Sequence, residues 1–289
     1  MDQFNVYKDM KARTNGEIYI GVVGPVRTGK STFIKRFMNL MVLPNIEDEN
    51  DRNRANDELP QSSSGKTIMT TEPKFIPKEA AVIHFSNQET GKIRLIDCVG
   101  YLVPEAVGAI EEEKERMVKT PWSEEEIPFS KAAEIGTSKV IREHSNLGLI
   151  ITTDGSFGDI AAANFEEALQ KTVMECEKAG KPFLILVNTS RPDSQETIQF
   201  TKRLEAQYGK TVMAVNCKTM DREDVFRIME QLLADFPITR LNFLLPKWVE
   251  FLQPDNWLKQ DLIEKCRNVI QKVHTMKDIQ DDSIQMQAP

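Results

Sequence analysis

Short apolar runs alternate along this chain with longer stretches whose apolar residues recur every three or four positions. The runs Ile18–Val23, Ala81–Phe85, Ile93–Ile96, Leu147–Ile151, Pro182–Val187 and Thr211–Val215 predict strands. The periodic stretches predict helices over about residues 30–41, 129–145, 159–180, 194–208 and 221–235. Strand–helix alternation of this kind predicts an α/β fold with a mostly parallel sheet and helices on both faces. Asn87-Gln88-Glu89-Thr90-Gly91 is short and rich in turn-forming residues, so the second and third strands should form a hairpin, giving one antiparallel strand. Two polar segments, 44–79 and 102–128, interrupt the rhythm and read as long loops, the second as a solvated acidic face or a partner-binding loop around Trp122. After Phe236 the pattern changes. A predicted helix near 256–276 and a polar tail suggest a division at 237/238, with 1–237 one domain and 238–289 the mainly helical start of another.

Composition narrows the class without changing this picture. Of 289 residues, 40% are hydrophobic and 28% charged, an ordinary globular balance. Lys and Arg total 37 against 44 Asp and Glu, a formal charge of −7 with no basic tract, which argues against nucleic acid as a partner. No apolar run is long enough for a transmembrane segment, and residues 1–17 lack the apolar stretch of a signal peptide. The 4 cysteines show no C-x-x-C spacing, so a reducing compartment is expected and a zinc or disulfide framework is not. Cys98 has no neighbouring histidine in sequence to activate it and reads as a buried thiol.

The chemistry lies in Gly24-Pro25-Val26-Arg27-Thr28-Gly29-Lys30-Ser31, which fits G-x-x-x-x-G-K-[ST] between a predicted strand and a predicted helix. Glycines let the backbone wrap a phosphate with N–H groups turned inward, and the helix beginning at Lys30-Ser31-Thr32 adds its positive end. Lys30 is expected to bridge β- and γ-phosphates and Ser31 to ligate Mg²⁺. Asp97-Cys98-Val99-Gly100 ends the third strand as D-x-x-G: Asp97 would hold Mg²⁺ through a water, and Gly100 would offer its N–H to the γ-phosphate. Thr152-Thr153-Asp154-Gly155, after the fourth strand, reads as a turn.

This order of motifs resembles the Ras-like (TRAFAC-type) branch of P-loop NTPases, with two departures. In that branch Asn-Lys-x-Asp after the fifth strand reads guanine. Here the stretch is Asn188-Thr189-Ser190-Arg191, and arginine offers donors but no acceptor for the guanine N–H groups. Leaving those donors unpaired disfavours guanine, so ATP is the expected nucleotide, with Thr189 and Ser190 able to face an adenine edge. Guanine reading by backbone groups or by Asn216-Cys217-Lys218 is the alternative. The second departure is Tyr101, where the branch has a water-orienting glutamine. A switch threonine within Thr67–Thr71 is the nearest substitute, and a solvated threonine-rich loop the alternative. Arg27 reads either as a built-in arginine finger replacing a potassium ion or as an exposed loop arginine.

Asp57-Glu-Leu-Pro-Gln61, Gly65–Phe75, Ile93–Tyr101, Thr120-Pro-Trp122, Ala133–Thr137 and Ile151–Gly155 together resemble the stage IV sporulation protein A family over nearly the whole chain. The resemblance implies a Mg²⁺-dependent ATPase that assembles with copies of itself into the base layer of the spore coat. It implies a place in the mother-cell cytoplasm at the forespore surface, with a small amphipathic membrane-anchor protein and other coat proteins as partners. It also places the family's Walker A lysine on Lys30, its Walker B aspartate on Asp97 and its paired sensor threonines on Thr70 and Thr71, Thr70 as a metal ligand. A regulatory GTPase switch, or a scaffold that binds nucleotide with negligible turnover, are the competing readings.

Overall fold

A computed structural model describes residues 17–60, 72–84, 90–106, 110–111, 114–234, 238, 241–275 and 278. The chain divides into two compact units, Met1–Leu232 and Leu233–Pro289.

The first unit is built on a six-stranded sheet: β1 (Glu17–Val23), β2 (Lys74–His84), β3 (Thr90–Asp97), β4 (Leu147–Thr153), β5 (Phe183–Asn188) and β6 (Val212–Val215). The strand order is β6-β5-β4-β1-β3-β2. Every pairing is parallel except that of β2 with β3. The mostly parallel sheet with one antiparallel strand is therefore as the apolar runs predict. Its helices are α1 (Lys30–Phe37), α2 (Glu49–Asp57), α3 (Phe129–Lys139), α4 (Glu166–Lys178), α5 (Gln195–Tyr208) and α6 (Arg222–Ala234), the last crossing the boundary between units.

Both faces of the sheet are covered, which is why the central strands are apolar at consecutive positions. Along β1, Ile18, Ile20 and Val22 alternate with Tyr19, Gly21 and Val23, and Val23 belongs to a core with Ile96, Val140, Ile150, Leu169 and Val173. Leu169, Val173 and Cys176 of α4, and Val140 and Ile141 of the π-turn Val140–His144 that follows α3, belong to this core. Ile18, Ile20 and Val22, each at most 2% exposed, point to the other face by the two-residue period. There α1 packs on β1 and β3 through buried Phe33, Ile34 and Phe37.

The long-loop readings need correction. Segment 44–79 contains α2 and the first half of β2, and 102–128 contains a hairpin of Met117–Thr120 with Ser123–Pro128. Helix α2 has no apolar face to betray it, because only Ala55 is buried; its start is fixed by Asp48, whose carboxylate accepts the Asp51 N–H at 2.9 Å. In β2 the pattern is broken by Pro77 and by a register shift between Ile76 and Ala81. Helix α4 starts at Glu166 rather than near 159, after glycines 155 and 158 at positive φ and a short 3₁₀ turn, Ala162–Phe165. The expected tight link at residues 87–91 lies largely outside the described residues.

In the second unit, a 3₁₀ turn Lys247–Phe251 precedes helix α7 (Trp257–Lys272), whose first turn is capped by Asn256 accepting the Leu258 N–H at 3.0 Å. No helix among the described residues is long and apolar enough to cross a membrane.

Candidate functional site

β1 lies between β3 and β4, so the chain leaves its carboxyl end where the strand order reverses. In open parallel sheets that crevice is where ligands bind. The loop from Gly24 to Gly29 fills it and α1 begins at Lys30. Gly24 has φ 129°, and a Cβ there would sit 2.3 Å from the Ile151 carbonyl oxygen. Gly100, from β3's end, has φ 91°, and its Cβ would sit 1.9 Å from the Gly24 carbonyl oxygen. These two backbones meet only because neither carries a side chain. Gly24 and Gly100 are thus a packing requirement of this chain.

Lys30 is 5% exposed. Its ammonium donates to the carbonyls of Gly24 (3.2 Å) and Pro25 (2.6 Å), across the mouth of the loop. Thr28 closes the same turn by donating its hydroxyl to Pro25 O at 3.0 Å. Burial pushes the Lys30 pKa down, against the opposing pull of Cys98 and Asp97.

β1 and β3 pair so that Val22 stands opposite Asp97, which brings the carboxylate beside α1. The Ser31 hydroxyl donates to Asp97 Oδ2 at 3.1 Å. The other oxygen, Asp97 Oδ1, is buried with no hydrogen-bond partner among the described residues. A buried carboxylate oxygen with unused lone pairs beside a serine hydroxyl is the donor set that a hard, water-bearing cation such as Mg²⁺ requires, so these residues fit the metal. Burial raises the Asp97 pKa, with Lys30 and Ser31 opposing.

At the carboxyl end of β5, the structure brings together what the sequence could only list in order. Asn188 donates from Nδ2 to Thr28 O in the phosphate loop (3.0 Å) and accepts the Cys217 N–H on Oδ1 (3.0 Å). Thr189 is fully buried and its hydroxyl donates to Asp154 Oδ2 at 2.6 Å. Arg191 is exposed, its guanidinium paired with Glu196 at 3.3 Å.

Tyr101 is 6% exposed, its ring packed with Val26, Val103, Ile160 and Phe165. Its carbonyl accepts the Val26 N–H at 2.9 Å. The position of the Ras-like glutamine is therefore a clasp between the D-x-x-G segment and the phosphate loop. Arg27 is exposed, with φ 63° in the left-handed region. Thr70 and Thr71 lie outside the described residues. Cys98 is buried and its pKa raised to about 11 by that burial, so it stays a thiol.

Two family models match the chain: stage IV sporulation protein A, ATPase domain, over residues 1–237, and stage IV sporulation protein A, middle domain, over 238–288. The stage IV sporulation protein A of Bacillus subtilis (strain 168) is 48% identical over 279 residues, covering 96% of this chain and 57% of that protein. Those of Bacillus anthracis and Clostridioides difficile (strain 630) are 47% and 46% identical, each over 96% of this chain and over 57% and 56% of their own lengths. The chain thus spans less than two thirds of these relatives.

Proposed function

Because this chain belongs to the stage IV sporulation protein A family, we propose that it is a Mg²⁺-dependent ATPase with slow turnover, used for assembling the spore coat. The observation that carries the reading is the Lys30–Ser31–Asp97 arrangement at the carboxyl end of β1: a buried ammonium on the phosphate loop beside a hydroxyl–carboxylate pair with one oxygen unused. The loop N–H groups, Lys30 and the α1 N-terminus bind and orient the triphosphate; Ser31 and Asp97 hold the metal, which when bound neutralises charge on the phosphate oxygens. Gly100 backs the γ-phosphate position.

Slow turnover follows from Tyr101. With its ring in the core, no amide orients water from that position, and Thr70 and Thr71 are the proposed substitutes. In this reading residues 1–237 form the ATPase domain and 238–289 begin the middle region. The whole protein forms a homopolymer at the forespore surface, on the mother-cell side, tethered through a small amphipathic partner.

ATP is preferred because Arg191 cannot accept hydrogen bonds from guanine. Phosphate release with ATP and GTP side by side is the test. Release from ATP should exceed that from GTP at least about tenfold, the scale of one unmet polar pair. Equal release would show that the base is read elsewhere, and no release from either would leave a nucleotide-binding scaffold.

Arg27 is proposed to supply the positive charge that some relatives of the P-loop class take from potassium. Turnover should then be unchanged when sodium replaces potassium and fall about 10²-fold in Arg27→Ala, the usual loss for one transition-state donor. A strict potassium requirement, or full activity in the variant, would refute that role.

A further inference from the structure

We propose that Asp154 is a positioning residue for the nucleobase loop, holding residues 189–191 in the shape that admits the purine. The proposal rests on the nucleotide-binding reading above.

The sheet register brings the two loops together. Thr153, the last residue of β4, pairs with Asn188, the last residue of β5, so Asp154 and Thr189 emerge side by side at the carboxyl edge. A turn-forming aspartate closes its own turn, and one oxygen does this: Asp154 Oδ1 accepts the Ser156 N–H at 3.0 Å. The second oxygen reaches across to the neighbouring loop, where Oδ2 accepts the Thr189 hydroxyl at 2.6 Å. That bond fixes the direction of the hydroxyl's only proton. The same oxygen of Thr189 is then oriented to accept the Arg191 N–H at 3.2 Å. Ser190 is held from the same side, its N–H donating to Ser156 Oγ at 2.8 Å.

Thr189 thus bonds to Asp154 directly, Arg191 is linked to it through the Thr189 hydroxyl, and Ser190 through Ser156, whose own N–H Asp154 accepts. Burial alone would raise the Asp154 pKa, but the hydrogen bonds from Ser156 and Thr189 together hold it below the usual carboxylate range, so the group works as a charged acceptor at neutral pH. The phosphate end is secured separately, by Asn188 bonding to Thr28 O. Asp154 should therefore affect the base end of the ligand and leave the triphosphate end alone. Thr189 stands where Ras-like proteins have lysine, and its hydroxyl completes this network instead.

The experiment compares a ligand with a base and one without. Binding of ATP and of magnesium tripolyphosphate is measured on the parent chain, Asp154→Ala, Thr189→Val and the double variant. ATP affinity should fall about tenfold in each single variant, the scale of a lost charge-assisted hydrogen bond. The double variant should be weaker than Asp154→Ala by much less than a second tenfold, since the two changes share the Asp154–Thr189 bond. Tripolyphosphate affinity should stay within about twofold throughout. Thr189→Val keeps side-chain volume, so it decides the matter should Asp154→Ala fail to fold. Unchanged ATP affinity overturns the inference, as does equal weakening of both ligands, which would mark a general loss of structure. A parent chain that binds tripolyphosphate but no purine nucleotide would overturn the nucleotide reading itself, and the inference with it.

Discussion

Lys30→Ala is expected to abolish nucleotide turnover in a chain that still folds. The ammonium of Lys30 is buried and its contacts lie on the carbonyls of Gly24 and Pro25, over the loop that should cradle phosphate. Moved from those carbonyls to the β- and γ-oxygens, it would meet charge as the terminal phosphoryl group departs. Removing one preorganised donor of that kind costs about 10²–10³-fold in rate. Loss of the charge also weakens ground-state binding, so kcat/KM should fall further than kcat. The fold should survive, because burial disfavours the charged lysine in the native state. Its pKa is lowered there, so between that value and 10.5 the unfolded chain holds more protons and stability rises with pH. At neutral pH the wild type therefore carries the cost of a buried ammonium, which alanine removes while it forgoes two hydrogen bonds. The measurement is phosphate release alongside thermal melting. A folded Lys30→Ala protein that hydrolyses ATP at the wild-type rate would sink the assignment.

The phosphate end of the site is legible in the sequence because its chemistry is contiguous. Eight neighbouring residues supply the loop, the cation and the helix start, and D-x-x-G directly follows the predicted strand Ile93–Ile96. Burial on both faces gives β4, β5 and the end of β1 their nearly continuous runs of buried residues, so the centre of the sheet is legible too. What escapes is decided by tertiary contact. Helix α2 buries one alanine and carries no period to read. The tyrosine at position 101 shows that glutamine is absent, but only packing against Val26 and Phe165 shows the ring turned into the core. Asp154 and Thr189 lie 35 positions apart, and their bond exists because β4 and β5 are neighbours in the sheet. Alone, Asp154 reads as an ordinary turn residue and Thr189 as one able to face a base edge.

Asp97→Asn should separate stability from function in opposite directions. In the folded chain the net effect on Asp97, burial first and then the opposing pull of Lys30 and Ser31, is a raised pKa. The charged carboxylate is thus disfavoured by folding even with its neighbours counted. Between 3.8 and the raised value the folded state binds more protons than the unfolded one, so the group's contribution to stability falls as pH rises through that window. Asparagine has nearly the shape of the protonated acid, carries no charge, and keeps a carbonyl oxygen to accept the Ser31 hydroxyl. The variant should therefore melt at or above the wild-type temperature at pH 7, with the difference shrinking as the pH approaches 4. Function should move the other way. The unused Oδ1, which is buried and without a hydrogen-bond partner among the described residues, is where a water of the metal's shell would be held. An amide supplies no negative charge there, and its NH₂ group would present donors where an acceptor is needed. Turnover should drop at least about 10²-fold, and the extra thermal stabilisation that Mg²⁺ adds to bound ATP should disappear. The two readouts check different links. Loss of turnover together with a fall of several degrees in melting temperature would mean that Asp97 serves the fold. Retained turnover with retained Mg²⁺ dependence would move the metal away from the Ser31–Asp97 pair.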